Sequence, residues 1–310
     1  MTDYKNLKLI ATSSPHIRGN ETTRSIMLDV IIAMVPALIF GIYNFGLRAL
    51  TLTAVSVIGC VFFEWLYRYL MKKPQSIGDL SAVVTGMLLA FVSPVTVPYW
   101  MILIGDFFAI IVVKQLFGGI GKNFANPAIT ARVMMLIAFS GEMTKWLVPG
   151  SKLSTAATPL AKLAQGKETE VVKLLLGQHG GSLGETCAIA LLIGFAYLLF
   201  RKVISWHIPV AFMGTVVVLT AVLGQDPIQH LLGGGLLLGA IFMATDYVTS
   251  PPTAKGKLIF GIGCGLITVV IRVFGNYPEG VSYAILLMNI VNPHICNLTG
   301  TKPFGGIKHE

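Results

Sequence analysis

The stretch Ser154-Thr155-Ala156-Ala157-Thr158-Pro159-Leu160 sets three hydroxyl side chains among small residues just ahead of a proline. Small neighbours leave a hydroxyl accessible, so the stretch reads as an acceptor for covalent modification. The same composition also makes an ordinary turn. A second stretch, Asn123-Phe124-Ala125-Asn126-Pro127, offers two carboxamides. Each is both donor and acceptor, as the edge of a bound heterocycle or a polyol chain requires, although two Asn caps on a membrane helix have the same spacing. Asp106 and Arg132 fall well inside apolar runs, where an ionisable group is costly unless paired, hydrated or used. The two are expected to pair, and Asp106 is the first candidate for ion coupling, with Asp246, nearer a span end, as the second. Glu64 stands one helical turn from Arg68 and is expected to meet it.

Other chemistries find no residues to carry them. Cys60, Cys187, Cys264 and Cys296 are scattered, with none of the CxxC spacing of a zinc or iron–sulfur site. His16, His207, His230 and His294 are isolated, so no metal site is expected. No Walker loop, no GxGxxG after a strand and no Ser/His/Asp arrangement occurs.

The elements that position these residues must be membrane spans. Hydrophobic residues make up 54% of the 310 and charged residues 12%, with a mean hydropathy of +0.75. A soluble domain is about one quarter charged. Ten apolar spans are predicted, at roughly 26–43, 48–71, 77–93, 98–117, 126–140, 184–202, 207–224, 229–247, 257–275 and 280–293. Prolines from Pro94 to Pro293 fall at or near their ends, where a missing N–H costs least. The net charge of +9 forms no patch, which argues for membrane orientation and against nucleic acid. Alternate connections hold Arg68, Lys72 and Lys73; Lys114 and Lys122; Arg201 and Lys202; Lys255 and Lys257. By the positive-inside rule both termini are cytoplasmic and the long 141–183 loop is extracytoplasmic. The first span should insert uncleaved, because no signal-peptide pattern precedes it.

An internal repeat is visible as well. Ile104 to Gly118 resembles Ile262 to Gly275, and Thr85 to Ala90 resembles Gly234 to Gly239. The expected fold is therefore an all-α polytopic membrane protein built from two inverted five-helix repeats. Its parts are an N-terminal tail (1–25), a first repeat (26–140), the long loop (141–183), a second repeat (184–293) and a C-terminal tail (294–310). The fifth span of each half is short and preceded by Gly, Pro and Asn, which points to a binding site near the repeat interface.

The chain resembles the RnfD and NqrB family of membrane electron-transport subunits. Thr155-Ala156-Ala157-Thr158 looks like that family's flavinylation motif, with Lys152 where an acidic residue is usual. Further matches include Leu80 to Gly86, Lys114-Gln115-Leu116-Phe117-Gly118-Gly119, Asn123 to Ala128, Gly181 to Thr186, Phe242 to Pro251 and Tyr277 to Val281. The resemblance implies FMN joined to Thr158 through a phosphodiester bond made by a flavin transferase. It also implies a non-covalent riboflavin around Asn123 and Asn126, with Lys114, Gly118 and Gly119 as further candidates. The implied partners are Rnf subunits A, B, C, E and G, which carry iron–sulfur clusters and another covalent FMN, together with membrane lipid. The implied activity is electron transfer between ferredoxin and NAD coupled to Na⁺ or H⁺ translocation, with no NAD chemistry in this chain; the short N-terminal tail favours the Rnf member of the family over the quinone reductase member. A ten-helix solute carrier and a passive scaffold are the rival readings, and covalent flavin separates the family reading from the carrier.

Overall fold

The structure, a computed structural model, describes residues 21–149, 157–163, 165–166, 169–185, 187–275 and 280–300. Among these no strand occurs and helices dominate. The helices α1 (Thr23–Phe45), α2 (Leu47–Leu70), α13 (Ala254–Phe274) and α14 (Val281–Thr299) are long and apolar enough to cross a membrane. Shorter apolar helices are α3 (Ser81–Phe91), α5 (Pro127–Ala138), α9 (Ala188–Phe200) and α10 (His207–Val222). The helix α4 (Tyr99–Phe107) continues as a π-helix over Phe108–Gln115. In the second half α11 (Pro227–Leu232) precedes α12 (Leu236–Leu238), which continues as a π-helix over Gly239–Met243. The long loop is not bare chain, since it carries α6 (Ser140–Met143), α7 (Pro159–Leu163) and α8 (Val171–Leu176).

Local chemistry sets the boundaries. Thr22 and Ser25 form a capping box at the start of α1, and Gly46 at φ +68° turns the chain directly into α2. Asn126 caps α5 ahead of Pro127, and Thr253 caps α13. Contacts between helices use small residues, as packing in lipid requires. A Cβ on Gly194 of α9 would lie 2.3 Å from the Ala33 carbonyl of α1, and one on Gly86 of α3 would lie 2.8 Å from the Ser56 carbonyl of α2. Gly261 and Gly265 bring α13 equally close to α10. Large apolar side chains such as Ile58, Ile137, Phe200 and Val222 face outward, a surface suited to lipid and not to water.

The third element of each half departs from the predicted continuous span. The span at 77–93 is a 3₁₀ turn followed by α3, whose eleven residues cover about 16 Å of a hydrocarbon layer near 30 Å thick. The span at 229–247 is broken at Gly233 to Gly235. Carbonyls freed by these breaks must be satisfied inside the protein. Arginines do this: Arg48 donates to the carbonyls of Val95 (3.3 Å) and Val97 (2.7 Å), and Arg132 donates to that of Val92. Arg272 donates to the carbonyls of His230 (2.6 Å), Gly233 (3.0 Å) and Gly234 (3.0 Å). Hydropathy reports apolar length but not whether a run is one helix or two pieces, which is why these breaks differ from expectation. Pro293, expected at a span end, lies inside α14, and that helix runs on to Thr299.

Candidate cofactor sites

A cavity of about 290 Å³ opens between α1, α3, α5, the end of α9 and the second π-helix. Its walls are mostly apolar, with Ile26, Met27, Val30, Leu88, Leu198 and Phe242 among the lining residues. Into this surface the fold sets Lys114, Asn123, Asn126 and Asp246, four residues singled out from the sequence. An apolar cleft near 300 Å³ with a few convergent polar groups is the usual form of a small-molecule site.

Each polar group has a distinct state. The Asn126 side-chain oxygen accepts from the backbone N–H groups of Ala128 (3.0 Å) and Ile129 (3.3 Å), and its Nδ2 donates to the Met243 carbonyl at 3.4 Å. It therefore caps α5 and ties it to the other half of the chain. Asn123 donates from Nδ2 to the Ala125 carbonyl at 3.0 Å, which leaves Oδ1 with no partner among the described residues. Lys114 donates to Glu64 Oε2 at 2.8 Å and to Ser81 Oγ at 2.6 Å, two of the three donors of its ammonium. Asp246 accepts from Thr249 Oγ at 3.0 Å. Gly118 (φ +115°) and Gly119 (φ +95°) do not line the cavity; they form the turn that closes the π-helix and redirects the chain toward Asn123. Ile204 and the α1 residues Thr23 and Met27 also line the cavity and carry no signal in the sequence beyond being apolar or near a span end, whereas Tyr247, also in the wall, lies in the 242–251 stretch that resembles the family.

The ionisable groups deep in the spans pair differently from expectation. Among the described residues no ion pair joins Asp106 to Arg132. Asp106 Oδ1 accepts from Ser56 Oγ at 2.7 Å and Cys60 Sγ at 3.3 Å, both on α2, while Arg132 Nε donates to Ser282 Oγ at 3.2 Å. The broken end of α3 draws Arg132 to the Val92 carbonyl and away from the carboxyl. Glu64 does approach Arg68, at 3.9 Å, but its close partner is Lys114, fifty residues on. Asp29 on α1 pairs with Arg201 at 3.2 Å and accepts from Tyr197 at 2.8 Å, clamping α1 to α9.

Of the hydroxyl stretch, Ala157 and Thr158 are described; Ser154, Thr155 and Ala156 lie outside the described residues. Thr158 caps α7: its Oγ1 accepts from the Ala161 N–H at 3.2 Å and its carbonyl from the Lys162 N–H at 2.9 Å. The segment docks on the break in the second half. A Cβ on Gly234 would fall 2.4 Å from Leu160 Cδ1 and 2.5 Å from Arg272 Nη2, so the segment and the guanidinium converge on one glycine. The four cysteines are unpaired, and no cluster of metal-ligating side chains occurs among the described residues.

Several known proteins are similar to this chain over nearly its whole length. The D subunit of the Na⁺-translocating ferredoxin:NAD⁺ oxidoreductase complex of Acetobacterium woodii is 49% identical over 308 residues, covering 97% of each chain. The corresponding D subunit of the proton-translocating complex of Clostridium ljungdahlii is 41% identical, again over 97% of each. That of an ion-translocating oxidoreductase complex from Stutzerimonas stutzeri is 38% identical over 90% of this chain and 91% of its own. The profile of the NQR2, RnfD, RnfE family matches residues 10–305. The chain is a multi-pass membrane protein and belongs to the NQR2, RnfD, RnfE family.

Proposed function

We propose that this chain is the D subunit of an Rnf-type ferredoxin:NAD oxidoreductase that translocates Na⁺ or H⁺, and that it relays electrons through FMN on Thr158 and a riboflavin in the cavity. The observation that carries the reading is similarity over 97% of the chain to two subunits of that name. A flavin supplies the redox chemistry when bound, and the protein supplies position, polarity and exclusion of water. In the cavity Asn123 Oδ1 and the remaining N–H of Lys114 would hold the heterocycle's polar edge, while Asn126 fixes the start of α5 and the apolar walls keep water out. At Thr158 the flavin transferase would join the hydroxyl to the FMN phosphate.

The same reading orders the spans as two inverted five-helix repeats, with both termini and the cavity cytoplasmic and the 141–183 loop outside. It is supported by broken third elements in both halves and by the packing of α1 on α9 and of α5 on α14. The outward apolar faces would meet lipid and subunits A, B, C, E and G. Asp106 and Asp246 are the candidate ion-coupling residues, and NAD would react on another subunit. In-gel fluorescence of the purified, denatured chain under ultraviolet light tests the proposal. A fluorescent band that Thr158→Val removes, together with the FMN mass increment, is the expected result. A wild-type chain without covalent flavin overturns it and favours a carrier.

A further inference from the structure

Behind the cavity wall lies a buried polar network. Glu64 is fully buried, and the Lys114 residue is 3% exposed. Glu64 Oε2 takes the 2.8 Å hydrogen bond of Lys114, and its other oxygen takes one from Ser76. Ser81 Oγ accepts from Lys114 and donates to Asp79 Oδ1 at 2.5 Å. Arg68 stands at the rear of Glu64, 3.9 Å away, and Asp246 lines the cavity in common with Lys114. Lys114 belongs to the π-helix over Phe108–Gln115; such segments are frequent at functional sites.

We infer that Glu64 is the positioning residue of the cavity, holding Lys114 at the wall and cancelling its charge there, so that a ligand meets a hydrogen-bond donor and not a net cation. The inference rests on the reading of the cavity as a flavin site. Two of the three ammonium donors are fixed by Glu64 and Ser81, which leaves one direction for the third. A wholly buried lysine is strongly disfavoured without its carboxylate, so the pair sets both where the nitrogen sits and what field the cavity feels. Reduction adds electrons to a bound flavin. An unbalanced ammonium beside it would favour the reduced form, and a balanced one leaves the potential low.

The test is a spectroelectrochemical titration of the purified complex before and after extraction of its non-covalent flavin, so that the difference isolates that couple. Glu64→Gln keeps the shape and removes the compensating charge. It should stabilise the reduced form at least tenfold, raising the midpoint by about 59 mV for a one-electron couple. Glu64→Gln with Lys114→Gln removes both charges and should return the midpoint close to the wild-type value. If Glu64→Gln does not assemble, Lys114→Gln reads the same pair from the other side and should lower the midpoint. If neither single variant assembles, the doubly neutral protein decides, and a tenfold displacement there overturns the inference. So does a bound flavin whose midpoint Glu64→Gln leaves unmoved. A wild-type complex with no extractable flavin is a different outcome: it removes the cavity reading, and this inference with it.

Discussion

Ser56 Oγ donates to Asp106 Oδ1 across 2.7 Å, while Oδ2 of the same buried carboxyl has no hydrogen-bond partner among the described residues. Because Arg132 is bound elsewhere, Asp106→Asn strands no buried cation. It should keep assembly and ferredoxin-driven electron transfer, with a stability change of no more than about 1 kcal/mol. Uptake of the coupling ion, Na⁺ or H⁺, into vesicles should be lost. Yield, reductase activity and both ion fluxes are measured on one preparation; normal flux at normal activity removes Asp106 from the ion path.

Asn123 and Asn126 should separate when each is replaced by alanine. Asn126→Ala removes a helix cap worth about 1 kcal/mol and the link to Met243, so it should lower both the melting temperature and the extractable riboflavin. Asn123→Ala loses one hydrogen bond, to the Ala125 carbonyl, so it should lower the melting temperature less than Asn126→Ala while weakening riboflavin by about 1–3 kcal/mol, roughly tenfold or more in affinity. Asn126→Asp keeps the capping oxygen and should recover most of the stability. Equal melting temperatures for both alanine variants would refute the capping role.

At Gly194, α9 passes close to the α1 backbone. Gly194→Ala drives a methyl into the Ala33 carbonyl and should cost on the order of 1–3 kcal/mol, read as a lowered melting temperature in detergent. Gly214→Ala on α10 meets nothing within 4 Å and is the control, expected to be neutral or stabilising by about 0.5–1 kcal/mol. A neutral Gly194→Ala would mean that the two helices are not packed as described.

The side of the long loop is measurable with one cysteine. Gly166 has φ +74°, which a cysteine would strain, so the exposed neighbour Gln165 is the better position. In a Cys296→Ser background, Gln165→Cys should react with an impermeant maleimide added outside whole cells. Reaction only after permeabilisation would invert the proposed topology.

Much of this architecture is legible from residue order alone. Long unbroken apolar runs identify α1, α2, α13 and most of α14, and Asn126-Pro127 announces the start of α5 with its cap. The cavity's polar residues stand out because three of them lie within thirteen positions, at Lys114, Asn123 and Asn126. What is not legible depends on contacts between distant segments. Glu64 looks complete with Arg68 one turn away, yet its closer partner lies fifty residues downstream. Asp106 and Arg132 share a depth in the sequence pattern, but depth does not give direction, and α2 reaches the carboxyl first. Nor does hydropathy distinguish a half-helix from a full one, so the breaks after Phe91 and at Gly233 to Gly235 are hidden from it.

Those breaks bear on how the protein reaches its native state. A full-length helix satisfies its own backbone and can enter the bilayer alone. Neither α3 nor α11 with α12 can, because carbonyls at their broken ends wait for side chains forty or so residues downstream, Arg132 for Val92 and Arg272 for His230. The first half must therefore expose an unfinished element until α5 is made, and the second until α13 is made. Assembly in the bilayer proceeds by closing each half around its own arginine, and a chain truncated before Arg132 or Arg272 should be a target for membrane proteolysis.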